Sequence, residues 1–176
     1  SAAMTLSQMG SYQVKYENYY SGIYTSNHDL FYSSEFAAEY TYNGDDLGAT
    51  WSANSTTFKV WAPTANKVAV KIYSEGDYGK GTVLQEQDMV LGEKGVWSAA
   101  VKGNLNGTYY TYSVTRKGET VEAVDPYART TGVNGNRGMV VDLSQTNPEN
   151  WTTDSLKNTI RHYSEAVIWE VHVRAF

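Results

Sequence analysis

The sequence predicts an all-β fold, an immunoglobulin-like β-sandwich, on three observations. About seven short alternating stretches recur at roughly 8–12-residue spacing over about ninety residues from Thr57 onward. Gly, Pro, Asn and Asp stand in the gaps between them, where turns need them. The stretches are filled with aromatic and β-branched residues, which suit a pleated, half-buried surface. The chain holds 15 Tyr and 5 Trp among 176 residues.

Residues 1–40 are polar, rich in Tyr, Ser and Asn, and carry no sustained period. Within them Ser34–Tyr40 reads as one short helical turn, with Ser34 as its cap and Glu35 in the first turn, where a carboxylate suits the helix dipole. The rest reads as an extended lead-in along another domain's surface. Residues 57–62 place Phe58, Val60 and Ala62 on one face and Lys59 and Trp61 on the other, and Pro63 ends the strand. Lys67–Tyr73 turns Val68, Val70 and Ile72 inward and Lys67, Ala69 and Lys71 outward. A Gly-rich loop at 75–81 carries Tyr78. Residues 83–91 form a weaker strand, 92–95 a turn, and 96–101 a strand with Trp97, Ala99 and Val101 on one face. After a turn at 104–107, residues 108–116 form a strong strand on which Tyr109 and Tyr110 fall on opposite faces, so one of the two is expected at the surface. Lys117-Gly118 sits at a hairpin turn leading into 119–124. Asp125-Pro126 closes the run as a turn, 137–143 reads as a further strand, and the polar stretch 144–164 with Pro148 reads as a linker.

Residues 166–176 open with a continuous apolar run, a pattern that suits a strand buried on both faces, as in a parallel sheet or barrel. A parallel strand requires a crossover and a partner strand after it. The expected organisation is therefore a lead-in at 1–40, the β-sandwich at 41–143, a linker at 144–165, and at 166–176 the first strand of a truncated second domain.

Composition excludes several classes. The net charge is −5 and the basic residues are scattered, so the chain is not expected to bind nucleic acid. No apolar run approaches membrane-spanning length, so no membrane partner is expected. With no cysteine there is neither disulfide nor thiol chemistry. No cofactor motif is present. The aromatic content has two readings, a β-rich core or a surface on which the apolar ring faces of neutral sugars stack.

Several strings then add up. Tyr42-Asn43-Gly44-Asp45-Asp46-Leu47-Gly48-Ala49 precedes Thr57-Phe58-Lys59-Val60-Trp61-Ala62-Pro63-Thr64-Ala65. Val124-Asp125-Pro126-Tyr127-Ala128, Val133-Asn134-Gly135-Asn136-Arg137-Gly138 and Val141-Asp142-Leu143 follow, and the chain ends on Ile168-Trp169-Glu170-Val171-His172-Val173-Arg174-Ala175-Phe176. In this order, over about residues 35–176, they resemble the N-terminal part of type I pullulanases, α-1,6-debranching enzymes of glycoside hydrolase family 13. The sandwich resembles a carbohydrate-binding module of family 48, an E-set domain.

The resemblance implies a sandwich followed by a (β/α)₈ barrel whose first strand begins near Ala166, with the catalytic carboxylates on later strands, beyond Phe176. This chain is then expected to hold no catalytic residue and to be inactive alone. Glu170 and His172 share one side of their strand and read as supports of the barrel rather than as catalytic groups. Asp45 and Asp46, beside Asn43 and Gly44, suggest an Asx-turn more simply than calcium, and Asp125 a turn residue, so no metal site is expected.

Glycogen-binding members of the family carry two aromatic platforms. Tyr78 occupies the loop of the first, whereas the second region holds Glu119-Thr120 and no aromatic, which leaves Tyr78 as the one glycan-binding residue expected in the sandwich. Trp97 is expected in the core, and Trp61 against the lead-in or the barrel. Three strings at Asn54, Asn106 and Asn150 fit the glycosylation acceptor pattern and carry no weight without a eukaryotic secretory route. The expected function is that of an accessory domain of an enzyme that hydrolyses α-1,6 bonds in pullulan, starch or glycogen branches. The expected partners are α-glucan and the catalytic barrel, in the same or a separate chain. The alternatives are a stand-alone α-glucan-binding module and a structural domain that binds no glycan. A bacterial cytoplasmic and a secreted location are both compatible with this reading.

Overall fold

The computed structural model describes residues 11–12, 15–20, 24–25, 31–153, 155 and 160–175. The chain divides into two compact units, Ser1–Asp142 and Leu143–Phe176. In the first, a short hairpin opens the chain: β1 (Ser11–Tyr12) pairs with β4 (Tyr24–Thr25), and β2 (Lys15–Tyr16) with β3 (Tyr19–Tyr20). Helix α1 (Ser34–Tyr40) follows. It is a seven-residue helix rather than a single turn, and its cap is Ser33, one residue earlier than expected, whose hydroxyl accepts from Phe36 N–H at 3.1 Å.

The sandwich is two antiparallel sheets. One runs β5 (Gly48–Trp51), β6 (Ser55–Trp61), β10 (Val96–Lys102), β9 (Val90–Leu91). The other runs β12 (Glu119–Ala123), β11 (Tyr109–Arg116), β7 (Lys67–Tyr73), β8 (Val83–Asp88), with the short β13 (Gly138–Met139) also on β11. Alternation decides the faces. Phe58 and Val60 of β6 and Trp97, Ala99 and Val101 of β10 meet Val68, Val70 and Ile72 of β7 and Tyr110 and Tyr112 of β11 in one core, joined by Met89 and Val140. Burying side chains of this size contributes about 1.5–3 kcal/mol each.

Four expectations need correction. Within the sandwich expected at 41–143 the first strand was expected at Thr57, but β5 adds an edge strand before it, with Ala49 opposite Phe58. The strand expected over 83–91 is two strands: β8 pairs with β7, β9 pairs with β10, and the buried Met89 between them, its N–H bonded to Val68 O at 2.8 Å, carries the chain from one sheet to the other. Ala69, expected outward, is buried, because β7 is a central strand and an alanine there is shielded by the longer side chains of its neighbours. The strand expected over 137–143 shrinks to Gly138–Met139, and Val140 continues it by donating its N–H to Thr108 O at 2.9 Å and accepting from Gly107 N–H at 2.9 Å.

The lead-in packs on the sandwich through aromatic rings. Phe36 is buried and lies edge-on to Trp61, with ring centroids 6.2 Å apart. Trp61 Nε1–H donates to Tyr40 O at 2.9 Å and to Lys94 O at 3.0 Å, and Lys94 Nζ–H donates to Ala38 O at 2.8 Å. Carbonyls near the end of α1 thus gain partners from the sandwich. Of the two tyrosines expected on opposite faces, Tyr110 is fully buried, while Tyr109 is half-buried rather than exposed, since loop residue Gly76 closes over its ring. At the hairpin turn expected between β11 and β12, Lys117 (φ 50°) and Gly118 (φ 83°) are both left-handed, the geometry of a type I′ turn.

A buried carboxylate ties the end of the sandwich down. Asp125 Oδ2 accepts from the hydroxyls of Tyr110 at 2.7 Å and Tyr112 at 3.3 Å, and Oδ1 accepts from Tyr127 N–H at 2.8 Å, which makes the Asp-Pro turn an Asx-turn. Burial pushes the Asp125 carboxyl above its ordinary value, and these hydrogen bonds offset part of that rise. Burial, with the neighbouring carboxylate, pushes both tyrosine hydroxyls up.

In the second unit, residues 166–172, expected to be a strand of a second domain, pair with no strand among the described residues, and Ile168 and Trp169 are 89% and 79% exposed. A strand exists only through the ladder it makes with a partner, and here none is present. Glu170 and His172 are exposed on this segment.

Two measurements test this fold. Trp97 is buried on the core face of β10 and its Nε1–H donates to Ala62 O at 3.0 Å. Trp97→Ala is expected to cost about 3–5 kcal/mol in a denaturant melt. For Asp125, a folded-state pKa above the unfolded one means that folding takes up a proton. Its contribution is therefore fully present below the ordinary carboxylate value of about 3.9 and is lost as pH rises through the folded value. The stability of the wild type relative to Asp125→Asn should accordingly be greater near that pKa than at neutral pH, as read by melts at the two pH values. An advantage that grows with pH would contradict this account of the carboxyl.

Candidate functional site

The most prominent exposed ring of the sandwich proper is Tyr78, 79% exposed, on the loop between β7 and β8. Glycine builds this loop: Gly79 and Gly81 take φ of +78° and +72°, which side chains disfavour. Its stem is closed by Ser74 N–H to Thr82 O at 3.1 Å and by Thr82 N–H to the Ser74 hydroxyl at 2.9 Å. At its tip Lys80 pairs with Asp77 at 2.7 Å, which holds the Asp77 carboxyl below its ordinary range.

The loop rests on Arg137. Its guanidinium is buried, and one nitrogen, Nη1, donates to Glu75 O at 2.5 Å and to Lys80 O at 2.9 Å, one on each side of Tyr78. Its Cζ stands 3.6 Å from the centroid of the Tyr73 ring, a cation–π contact. The loop also abuts the segment that precedes Arg137: a Cβ on Gly76 would lie 2.5 Å from the Tyr109 ring and 2.7 Å from Gly132 Cα. Glycine is required there for close approach.

From Tyr73 a polar network continues over the outer face of the same sheet. Tyr73 donates its hydroxyl to Glu122 at 2.6 Å, Thr111 does so at 2.8 Å, and Lys71 Nζ–H donates to Glu122 at 3.2 Å. Burial works against the Glu122 carboxylate, and these three donors outweigh it, so its pKa falls below the usual range. Tyr73 is pushed up by burial and by Glu122. The result is a fixed polar network that runs from Glu122 through Tyr73 to the Arg137 brace of the loop, while the exposed Tyr78 ring offers a neutral polyhydroxylated ligand a face to stack on. A Glu held ionised by three donors is a poor general acid.

The remaining sequence candidates serve structure. Asp46 accepts from the Tyr42 hydroxyl and from Lys59 Nζ–H, and its pKa is lowered by those bonds, so an ion pair rather than calcium accounts for it. Among the described residues no group of three His, Cys, Asp or Glu side chains is placed to hold a metal. At the second platform position Thr120 meets Thr115, hydroxyl to hydroxyl, at 2.9 Å. Sequence reasoning missed Tyr73, Glu122 and Arg137. The only available signal was Arg137 within the Asn-Arg-Gly string, and nothing in the spacing says that it reaches back to residues 75–80.

Comparison with known proteins agrees with this architecture. Residues 46–128 match carbohydrate-binding module 48, the isoamylase N-terminal domain. The chain is 38% identical over 144 residues to a pullulanase of Bacillus subtilis, covering 82% of this chain and 18% of that protein. It is 34% identical over 152 residues to chloroplastic pullulanase 1 of Arabidopsis thaliana, covering 78% of this chain and 15% of that protein. Among solved structures, the Paenibacillus barengoltzii pullulanase in complex with maltohexaose and α-cyclodextrin superposes with a TM-score of 0.73 at 40% identity, over 81% of this chain and 22% of that one. The pullulanase of Bacillus acidopullulyticus gives 0.67 at 38%, over 81% and 17%. The chain therefore spans less than a quarter of the length of these relatives. With two packed sheets and this alignment to the pullulanases, residues 46–128 form a carbohydrate-binding module 48, and the chain corresponds to the N-terminal region of a type I pullulanase.

Proposed function

We propose that this chain is the N-terminal accessory part of a debranching enzyme that hydrolyses α-1,6 bonds in pullulan, starch or glycogen branches, and that its sandwich offers α-glucan a stacking surface at Tyr78. The observation that carries the reading is the exposed Tyr78 ring on a loop braced by Arg137. The solved relatives include complexes with maltohexaose and α-cyclodextrin and with maltotetraose, which makes α-glucan the ligand class to test. A single ring gives modest affinity, so the sandwich acts chiefly by extending the substrate surface of a catalytic portion. Hydrolysis belongs to that portion, in the same polypeptide or a separate one.

The proposal includes the domain boundary. Residues 166–176 are the first strand of a (β/α)₈ barrel, 144–165 are the linker to it, and 41–143 are the sandwich. What supports this is the row of exposed apolar side chains Val167, Ile168, Trp169, Val171 and Val173, which a barrel would bury on both faces.

Native gels containing amylopectin test the site. Wild-type protein should be retarded, and Tyr78→Ala should lose the retardation with its melting curve unchanged, since an exposed side chain contributes little to stability. Retardation that survives the substitution would move the site elsewhere. The boundary is tested by deleting residues 166–176. The shortened chain should keep its fold by circular dichroism and associate no more than the full one in size-exclusion chromatography, because an unpaired apolar strand is a template for association. Loss of the sandwich on deletion would place the strand in the first domain.

A further inference from the structure

We infer that Arg137 is a positioning residue for glucan binding at Tyr78, an inference that rests on the α-glucan reading above. The loop that carries Tyr78 has three glycines within 75–81, two of them at positive φ, and the Tyr78 side chain projects into solvent. Left to itself such a segment samples many backbone conformations, and a ligand would have to select one of them. One guanidinium nitrogen removes that freedom. Nη1 of Arg137 donates to the carbonyls of Glu75 and Lys80, and so draws together the two residues between which Tyr78 is strung.

The brace is itself anchored. Arg137 stacks on Tyr73 at 3.6 Å, and Tyr73 is fixed in turn by its hydroxyl bond to Glu122 at 2.6 Å. A lysine cannot reproduce this, since it has no planar group to lie on a ring while its donors fan out at fixed angles. The ring that meets the glucan is therefore held by a buried residue that does not meet it.

The test uses the whole chain, with maltoheptaose titrations and amylopectin gels run well below the melting temperature, so that every variant is fully folded. Arg137→Lys is expected to weaken maltoheptaose binding roughly tenfold, and Tyr73→Leu, which removes the platform beneath the guanidinium, to do the same. Hydrogen exchange should quicken in residues 75–81 and stay unchanged in β10, which also provides a readout if one variant proves unstable. Unchanged affinity alongside faster loop exchange would overturn the inference, leaving Arg137 a role in stability alone. A wild type that binds neither maltoheptaose nor amylopectin would remove both this inference and the glucan reading, whereas binding that is lost with Tyr78→Ala and kept with Arg137→Lys would sink this one only.

Discussion

The structure depends on one constraint: two sheets, each apolar on a single face, must bury those faces against each other. Phe58, Trp97 and Val101 from one sheet and Val70, Ile72 and Tyr110 from the other fill the space between them. Because side chains alternate along a strand, fixing these residues inward also fixes Lys71, Tyr73 and Thr111 outward, on the face where the candidate site lies. A one-residue slip of β7 or β11 would empty the core and dismantle that face together.

Polar residues do the joining that apolar packing leaves open. Asp125 takes the inward-pointing hydroxyls of Tyr110 and Tyr112, so two large rings enter the core without an unsatisfied donor, and the same carboxylate fixes the turn that ends the sandwich. Arg137 does the equivalent work for the Tyr78 loop, by bonding to backbone carbonyls and lying on Tyr73. A charge so buried is costly unless fully engaged, which explains why a long, exposed loop is matched to it. Both residues reach segments distant in sequence, Asp125 to Tyr112 across 13 residues and Arg137 to Glu75 across 62.

The site was legible only in part. Tyr78 stood out because the resemblance places an aromatic platform in the glycine-flanked loop that it occupies. Arg137, Tyr73 and Glu122 did not, because each owes its place to partners on other strands. Glu122 looked like one more charge on an edge strand, and only the register of β11 against β7 and β12 sets it beside Thr111, Lys71 and Tyr73. The division of residues 83–91 at Met89 was hidden for the same reason: a strand that changes sheets has the alternation of one that does not.

By itself the sequence determined the sandwich class, the inward rows of β6, β7, β10 and β11, the hairpin turn at Lys117-Gly118 and the exposed aromatic loop. These follow from period-two alternation and turn chemistry, which act over a few residues. The tertiary structure alone decided the edge strand β5, the sheet switch at Met89, the packing of α1 through Phe36 and Trp61, and the bracing of Tyr78 by Arg137. Each of these is a pairing between segments far apart in the chain, and such pairings become defined only once the two sheets close over their shared core.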